Sequence, residues 1–223
     1  MPSSTVENYL KRIYLEQQHA GDDPVPMGRL AAAMQVQPGT VTSMIKVLAD
    51  SGLVEYEPRS GTRLTKRGQH LAVHVLRRHR LVETFLVDIL KLDWSEVHEE
   101  AEELEHAISE KVLERIDQLL GRPRADPHGD PIPSATGLFT EVVQQSLRHC
   151  AIGESVRVAR VLDQDPGFLQ FIERTGLTPG VNLVVPQCDP IADAITVIPD
   201  GHQPITIGMA AARKILVEPS TDS

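Results

Sequence analysis

The sequence predicts a mostly α-helical chain in three parts. A winged helix-turn-helix comes first, a long helical segment follows, and a small C-terminal β-barrel of the SH3-like sort ends the chain. Three observations predict this. Apolar residues recur at helical spacing over most of the first 120 positions. Two short helical segments joined by a three-residue turn are followed by a hairpin signal at Pro58-Arg59-Ser60-Gly61. After residue 138 the helical period gives way to β-prone runs. The expected domains are 1–73, 74–137 and 138–223.

Residues 4–19 read as a helix, because Val6, Leu10, Ile13 and Tyr14 form one apolar stripe with Tyr9 beside it. Gly21 to Pro26 breaks it. A short helix follows at 27–34, then a turn at Gln35-Val36-Gln37. Pro38 suits a first helical turn. In PGTVTSMIKVLADSG the residues Val41, Ile45 and Leu48 form the buried stripe, and Gly52 suits the position after the helix. Helix, tight turn, helix is the helix-turn-helix pattern. The second helix leaves Thr40, Thr42, Ser43 and Lys46 outward, with Gln37 and Pro38 at its start. Arg59 and Arg63 fall on the wing, where they can reach phosphates.

A long helix is expected from 66 to 91, on Leu71, Val75, Leu76, Leu81, Val82, Phe85, Leu86 and Ile89. Asp93-Trp94-Ser95-Glu96 reads as a capping box that opens a helix over 94–120, with Leu104, Ile108, Val112 and Leu119 on its apolar side. Both helices carry more apolar surface than one pairing consumes, so a homodimer through this region is expected. Residues 121–137 hold four Pro and three Gly, as a linker or an ordered loop does. Asp126 and His128 within it could be ligands, but their loop placement favours a structural or solvated role. Beyond it, VRVARVL, VNLVVPQC and AITVIP are strand-like, with a short helix near 166–175 and a turn at Thr178-Pro179-Gly180.

Net charge is −9, but it is unevenly spread: +4 over residues 1–80, −9 over 81–150 and −4 over 151–223. Residues 59–80 hold seven basic residues (Arg59, Arg63, Lys66, Arg67, Arg77, Arg78 and Arg80) and no acid. A local basic patch of this kind suits double-stranded DNA. No apolar run approaches 18 residues and MPSSTVENYLKR has no apolar leader core, so a soluble, cytoplasmic protein is expected, with no membrane partner. Two cysteines are too few for a disulfide framework and fit a reducing compartment.

The chemistry concentrates at residues 79–106. His79 and Glu83 are four apart. His98, Glu102, Glu105 and His106 fall at about 0°, 40°, −20° and 80° on one helix wheel. A Glu-rich helix is usually a solvated face. Here Glu99, Glu100, Glu102, Glu103 and Glu105 have almost no cation nearby, and Lys111 is the nearest downstream. Such a cluster either lowers its own charge or binds a cation. Imidazoles and carboxylates without a thiol lean toward Mn(II) or Fe(II) over a closed zinc-thiolate site. The middle segment is therefore expected to be a helical metal-binding and dimerisation domain.

The winged module, RRHRLVETFL, SEVHEEAEELEHAIS and DPHGDPIP together resemble the diphtheria-toxin-repressor family of metal-dependent transcriptional repressors, most closely its manganese regulators. The resemblance covers residues 5–135 well, and the tail looks like the family's SH3-like domain. It implies two metal positions: a primary one at Asn8, Glu102, Glu105 and His106, and an ancillary one at His79, Glu83 and His98. Asn8 stands where manganese members usually carry Asp, and Lys11 where some carry a second acid. Gln164 and Gly167 stand where the family's C-terminal domain sometimes donates Glu and Gln to the ancillary metal, which leaves Gln164 or Asp163 as the candidate there. The resemblance also implies a homodimer on palindromic operators of metal-uptake genes, activated by Mn(II), with Fe(II) as the alternative ion. From another class, a helical-bundle di-iron carboxylate oxidase wants two Glu-x-x-His motifs. Glu103 to His106 and Glu16 to His19 have that spacing, but the second sits beside a turn, and neither that enzyme nor a zinc-storage protein explains the basic wing.

Overall fold

The computed structural model describes residues 3–21, 23–140 and 143–220, apart from the side chains of residues 19 and 20. The chain divides into two compact units, Met1–His79 with Pro133–Leu138, and Arg80–Ile132 with Phe139–Ser223.

In the first unit, α1 (Ser4–Ala20) starts where the Ser3 side chain accepts a bond from the Val6 amide. Its Tyr9, Leu10, Ile13 and Tyr14 are buried, the face that its period marks. Next come α2 (Met27–Ala33) and α3 (Pro38–Asp50), joined by a turn with Gln35 at φ 55°. Pro38 opens α3, and Val41, Ile45 and Leu48 are buried beside Leu10, Ile13 and Leu30 in this unit's core. The wing is an antiparallel hairpin of β1 (Val54–Glu57) and β2 (Gly61–Leu64). Its base is tied by Val25, which exchanges two backbone bonds with Thr62, at 2.8 and 3.0 Å. A Cβ on Gly61 would stand 2.5 Å from the Val25 carbonyl, so only glycine allows that approach.

The long helix α4 (Lys66–Asp88) follows two residues after the wing. The expected single helix over 94–120 is two: α5 (Val97–Leu104) and α6 (Glu110–Leu119). Ser109 is the reason for the break. Its side chain caps α6 by accepting from the Val112 amide, which sets a new helix start. The start of α5 also differs. Asp93 accepts from both the amide and the hydroxyl of Ser95, an Asx turn, and the Glu96 side chain makes no capping bond. Ile89, Leu90, Leu104, Val112 and Leu119 of this helical part remain exposed in the single chain.

The rest of the second unit is β3 (Gln145–Ser146), a 3₁₀ turn, β4 (Ser155–Val161), α7 (Pro166–Arg174), β5 (Asn182–Asp189), β6 (Ala194–Pro199), β7 (Ile205–Gly208), α8 (Met209–Ala212) and β8 (Ile215–Pro219). The six strands form one antiparallel sheet in the order β3-β8-β4-β5-β6-β7. Alternate residues Val156 and Val158, and Ile195 and Val197, point inward. They share a core with Leu169 and Ile172 of α7, and Trp94 packs against that core.

Glu7 and Arg78 in the first unit form an ion pair at 2.9 Å with side chains only 8% and 7% exposed. Removing one partner of such a pair leaves a buried charge and costs about 3–5 kcal/mol. Glu7→Ala is therefore expected to lower unfolding stability far more than Glu16→Ala, whose partner Arg29 is 43% exposed, a pair of the kind that contributes about 0–1 kcal/mol. Urea denaturation of both variants checks this, and equal losses would contradict it.

Candidate metal centre and nucleic-acid interface

Glu83 occupies the fifth turn of α4 and its side chain is 1% exposed. Its Oε1 lies 3.1 Å from Nδ1 of His98 on α5. The other ring nitrogen of His98, Nε2, lies 3.6 Å from Glu102. His98 thus stands between one carboxylate of each expected metal position. His79, also buried, precedes Glu83 by one turn of the same helix. In the first unit its Nδ1 lies 3.4 Å from the Lys11 ammonium. An ammonium only donates, so Nδ1 accepts and, in the neutral ring, Nε2 carries the proton. Lys11 is buried. Asn8 is half-buried on the same helix.

Glu105 and His106 fall in the turn after α5, not on the continuous helix the stripe implies. Glu105 is fully buried, and its Oε1 is 3.3 Å from Nε2 of His106. Among the described residues, Glu102, Glu105 and His106 do not bring three ligand atoms within 4.8 Å of one another.

A different triad in the second unit does. Glu83, Asp126 and His128 each offer a ligand atom within 4.8 Å of the others, and all three are buried. Asp126 and His128, read from the sequence as structural or solvated with a ligand role as the alternative, are both buried. The loop is ordered, not a linker. Asp126 Oδ1 accepts from the amides of His128 and Asp130, both at 2.9 Å. His128 Nε2 bonds the Trp94 carbonyl at 2.9 Å, so Nε2 carries the proton. Nδ1, buried and without a hydrogen-bond partner, then presents a lone pair toward Glu83 Oε2, 4.0 Å away. A buried lone pair facing two carboxylates fits a divalent cation of the hard N/O type. Proline and glycine density hid this triad; DPHGD at close spacing was the one sequence signal.

Charge agrees with that fit. Burial, then the negative charges of Asp130 and Glu83, push the Asp126 carboxyl well above the usual carboxylate range, against Arg80 and the Asp130 amide. Arg80 lies 3.6 Å from both Asp126 and Asp130 and donates to the Pro131 carbonyl at 2.5 Å. Neither candidate from the C-terminal domain faces this cluster as a free ligand. The Gln164 amide donates to Asp130 Oδ2 at 2.8 Å, and Asp163 pairs with Lys214 at 2.5 Å. Both cysteines are free thiols outside the cluster. Burial and then the Glu154 charge push the Cys150 thiol up to about 11.

On the DNA side, Gln37, Pro38, Thr40, Ser43 and Lys46 are exposed and Thr42 is half-buried. Thr42 and Ser43 donate their hydroxyl protons to the Pro38 and Gly39 carbonyls, at 2.9 and 3.0 Å, leaving lone pairs outward. Val47, 55% exposed on the same face, is an apolar position the sequence reading passed over. Arg59 and Arg63 are exposed on the wing, and Lys66 and Arg67 at the start of α4. Arg77, Arg78 and Arg80 do not belong to a phosphate-facing patch. All three are buried, with Arg77 on the Pro133 carbonyl and Arg78 on Glu7. Charge counting cannot tell a solvated arginine from one that satisfies buried acceptors.

Family comparisons cover nearly the whole chain. "Iron dependent repressor, N-terminal DNA binding domain" matches residues 1–62, "Iron dependent repressor, metal binding and dimerisation domain" residues 65–134, and "FeoA domain" residues 145–219. The iron-dependent repressor IdeR of Mycobacterium leprae (strain TN) is 30% identical over 226 residues, 96% of each chain. The chain belongs to this family of metal-dependent transcriptional repressors. The diphtheria toxin repressor of Corynebacterium diphtheriae (strain ATCC 700971 / NCTC 13129 / Biotype gravis) is 36% identical over 129 residues, 58% of this chain and 56% of that one. A solved manganese-dependent transcriptional repressor in complex with manganese matches at TM-score 0.86 and 38% identity, over 96% of this chain and 100% of that chain. ScaR with bound Zn2+ matches at TM-score 0.76 and 35% identity, over 98% and 100%.

Because the Asp126 carboxyl is raised on folding, its protonated form adds stability at low pH, and that stability is lost as pH rises through the raised value. The metal-free repressor is therefore expected to melt at lower temperature as pH climbs through this ionisation. Asp126→Asn is expected to flatten the dependence. Calorimetric melting across pH checks it; a wild-type melting temperature that rose over that window and stayed flat in the variant would contradict it.

Proposed function

We propose that this repressor is activated by Mn(II), binds palindromic operators of metal-uptake genes as a homodimer, and works in the cytoplasm. The observation that carries the choice of ion is the donor chemistry. Glu83, Asp126 and His128, with His98 beside them, are nitrogen and hard oxygen donors with no sulfur. Glu102 adds another carboxylate. Such sets favour manganese over softer ions through ligand type and geometry. The manganese-bound relative supports the same ion. Fe(II) is the competing reading, carried by the IdeR relative's name.

Two metal positions are assigned to each subunit. One uses Asn8, Glu102, Glu105 and His106. The other centres on Glu83, with His79, His98, Asp126 and His128 as its further donors. A divalent cation supplies positive charge that offsets these carboxylates. The residues do the rest. Donors on α1, α4, α5 and the following turn hold a single arrangement of the DNA-binding part. That arrangement presents Gln37, Pro38, Thr40, Thr42, Ser43 and Lys46 to base edges and Arg59 and Arg63 to phosphates. The exposed Ile89, Leu90, Leu104, Val112 and Leu119 provide the apolar face for a second copy.

Duplexes selected from random-sequence DNA by the Mn(II)-loaded protein test the gating. Affinity is expected to be at least tenfold higher in Mn(II) than in chelator, which is about 1.4 kcal/mol of coupling. Equal affinity would refute it. Glu102→Ala and His106→Ala are expected to lose that dependence, while Glu100→Ala, exposed on another face of α5, keeps it. Asn8→Asp is expected to tighten Mn(II) binding by adding a negative donor, and Asn8→Ala to weaken it modestly. Titrations in which both differ from wild type by less than about twofold, roughly 0.4 kcal/mol, would remove Asn8 from the site.

A further inference from the structure

The loop that carries Asp126 and His128 is gripped by the C-terminal barrel at three points. The Val161 amide, at the end of β4, donates to the His128 carbonyl at 2.8 Å. Gly129, at φ 84°, approaches β4 so closely that a Cβ would stand 2.0 Å from the Ala159 carbonyl. Asp130 takes the Arg160 guanidinium on one carboxylate oxygen and the Gln164 amide on the other. Trp94, whose carbonyl fixes the His128 tautomer, stacks on the His128 ring at 5.4 Å and packs against the barrel core.

We propose that the barrel sets the affinity of the Glu83–Asp126–His128 position through Arg160 and Gln164, which act as positioning residues. This rests on the assignment of a metal to that triad. Asp130 is the intermediary. Its carboxylate lies between two guanidinium groups, those of Arg80 and Arg160. Its amide is also one of the two that fix the Asp126 carboxylate. Pulling Asp130 toward β4 therefore does two things at once. It offsets a charge beside the ligands, and it holds the backbone turn that aims Asp126 and His128 inward. Small errors in such supporting contacts are enough to weaken metal binding. Asp163, which could reach a cation in principle, is engaged by Lys214, itself 4.9 Å over the Phe168 ring.

Trp94 is the chain's single tryptophan and stacks on the His128 ring, so its fluorescence reports from beside that ring. The experiment titrates MnCl2 into full-length wild type, Arg160→Met, Arg160→Lys and Gln164→Leu, following Trp94 quenching, and melts each metal-free protein. Arg160→Met is expected to weaken the Trp94-reported dissociation constant at least tenfold. Arg160→Lys, which keeps the charge, recovers part of the loss, and Gln164→Leu weakens it severalfold. A merely structural role would lower the metal-free melting temperature and leave the dissociation constant in place. That result, or constants within twofold of wild type in both Arg160→Met and Gln164→Leu, overturns the proposal while leaving the triad as a metal site. No Mn(II)-dependent change at Trp94 in wild type overturns both.

Discussion

Three carboxylates, Glu83, Asp126 and Asp130, are buried around one imidazole, and the rest of the second unit is arranged to tolerate them. Charges of one sign in a low-dielectric interior repel strongly, and each must be hydrogen-bonded, paired or protonated. Arg80 from α4 and Arg160 from β4 are the protein's own counter-ions. Two loop amides take Asp126, and His98 takes Glu83. What is left is one unpartnered lone pair on His128 and an Asp126 carboxyl pushed toward protonation. The cation proposed for this position would offset those charges and take that lone pair.

The same constraint explains how the chain spends its arginines. Those on the wing and at the start of α4 stay in water, where long-range attraction to phosphate is useful. Those about three to four turns later, in the cluster at 77–80, turn inward. Arg77 reaches the Pro133 carbonyl, Arg78 reaches Glu7 and Arg80 reaches Pro131 with two aspartates. Guanidinium suits this work because its planar donors can satisfy a carbonyl and a carboxylate together. One helix therefore begins with solvated basic residues and later frames the loop that carries Asp126 and His128.

Much of the architecture was legible because periodicity survives in the sequence. The apolar stripes of α1 and α3, the hairpin at Pro58–Gly61 and the alternation in β4 and β6 are all seen in the fold. Two kinds of feature were not legible. The break between α5 and α6 depends on one serine cap inside an otherwise continuous pattern. The roles of Asp126 and His128 depend on burial, which a Pro- and Gly-rich stretch does not advertise. Their ordering comes from partners distant in sequence, Trp94 and β4, that no local reading connects. The short strands β3 and β7 and the four-residue α8 carry too few residues for a period to show.

Crystals of the Mn(II)-loaded repressor, measured on either side of the manganese absorption edge, test the central claim most directly. The account predicts an anomalous peak bounded by Glu83, Asp126 and His128, with Asp130 held on Arg160 behind it. A peak at Glu83 confined to the His98 side, with Asp126 and His128 still bonded only to the loop and Trp94, would contradict it.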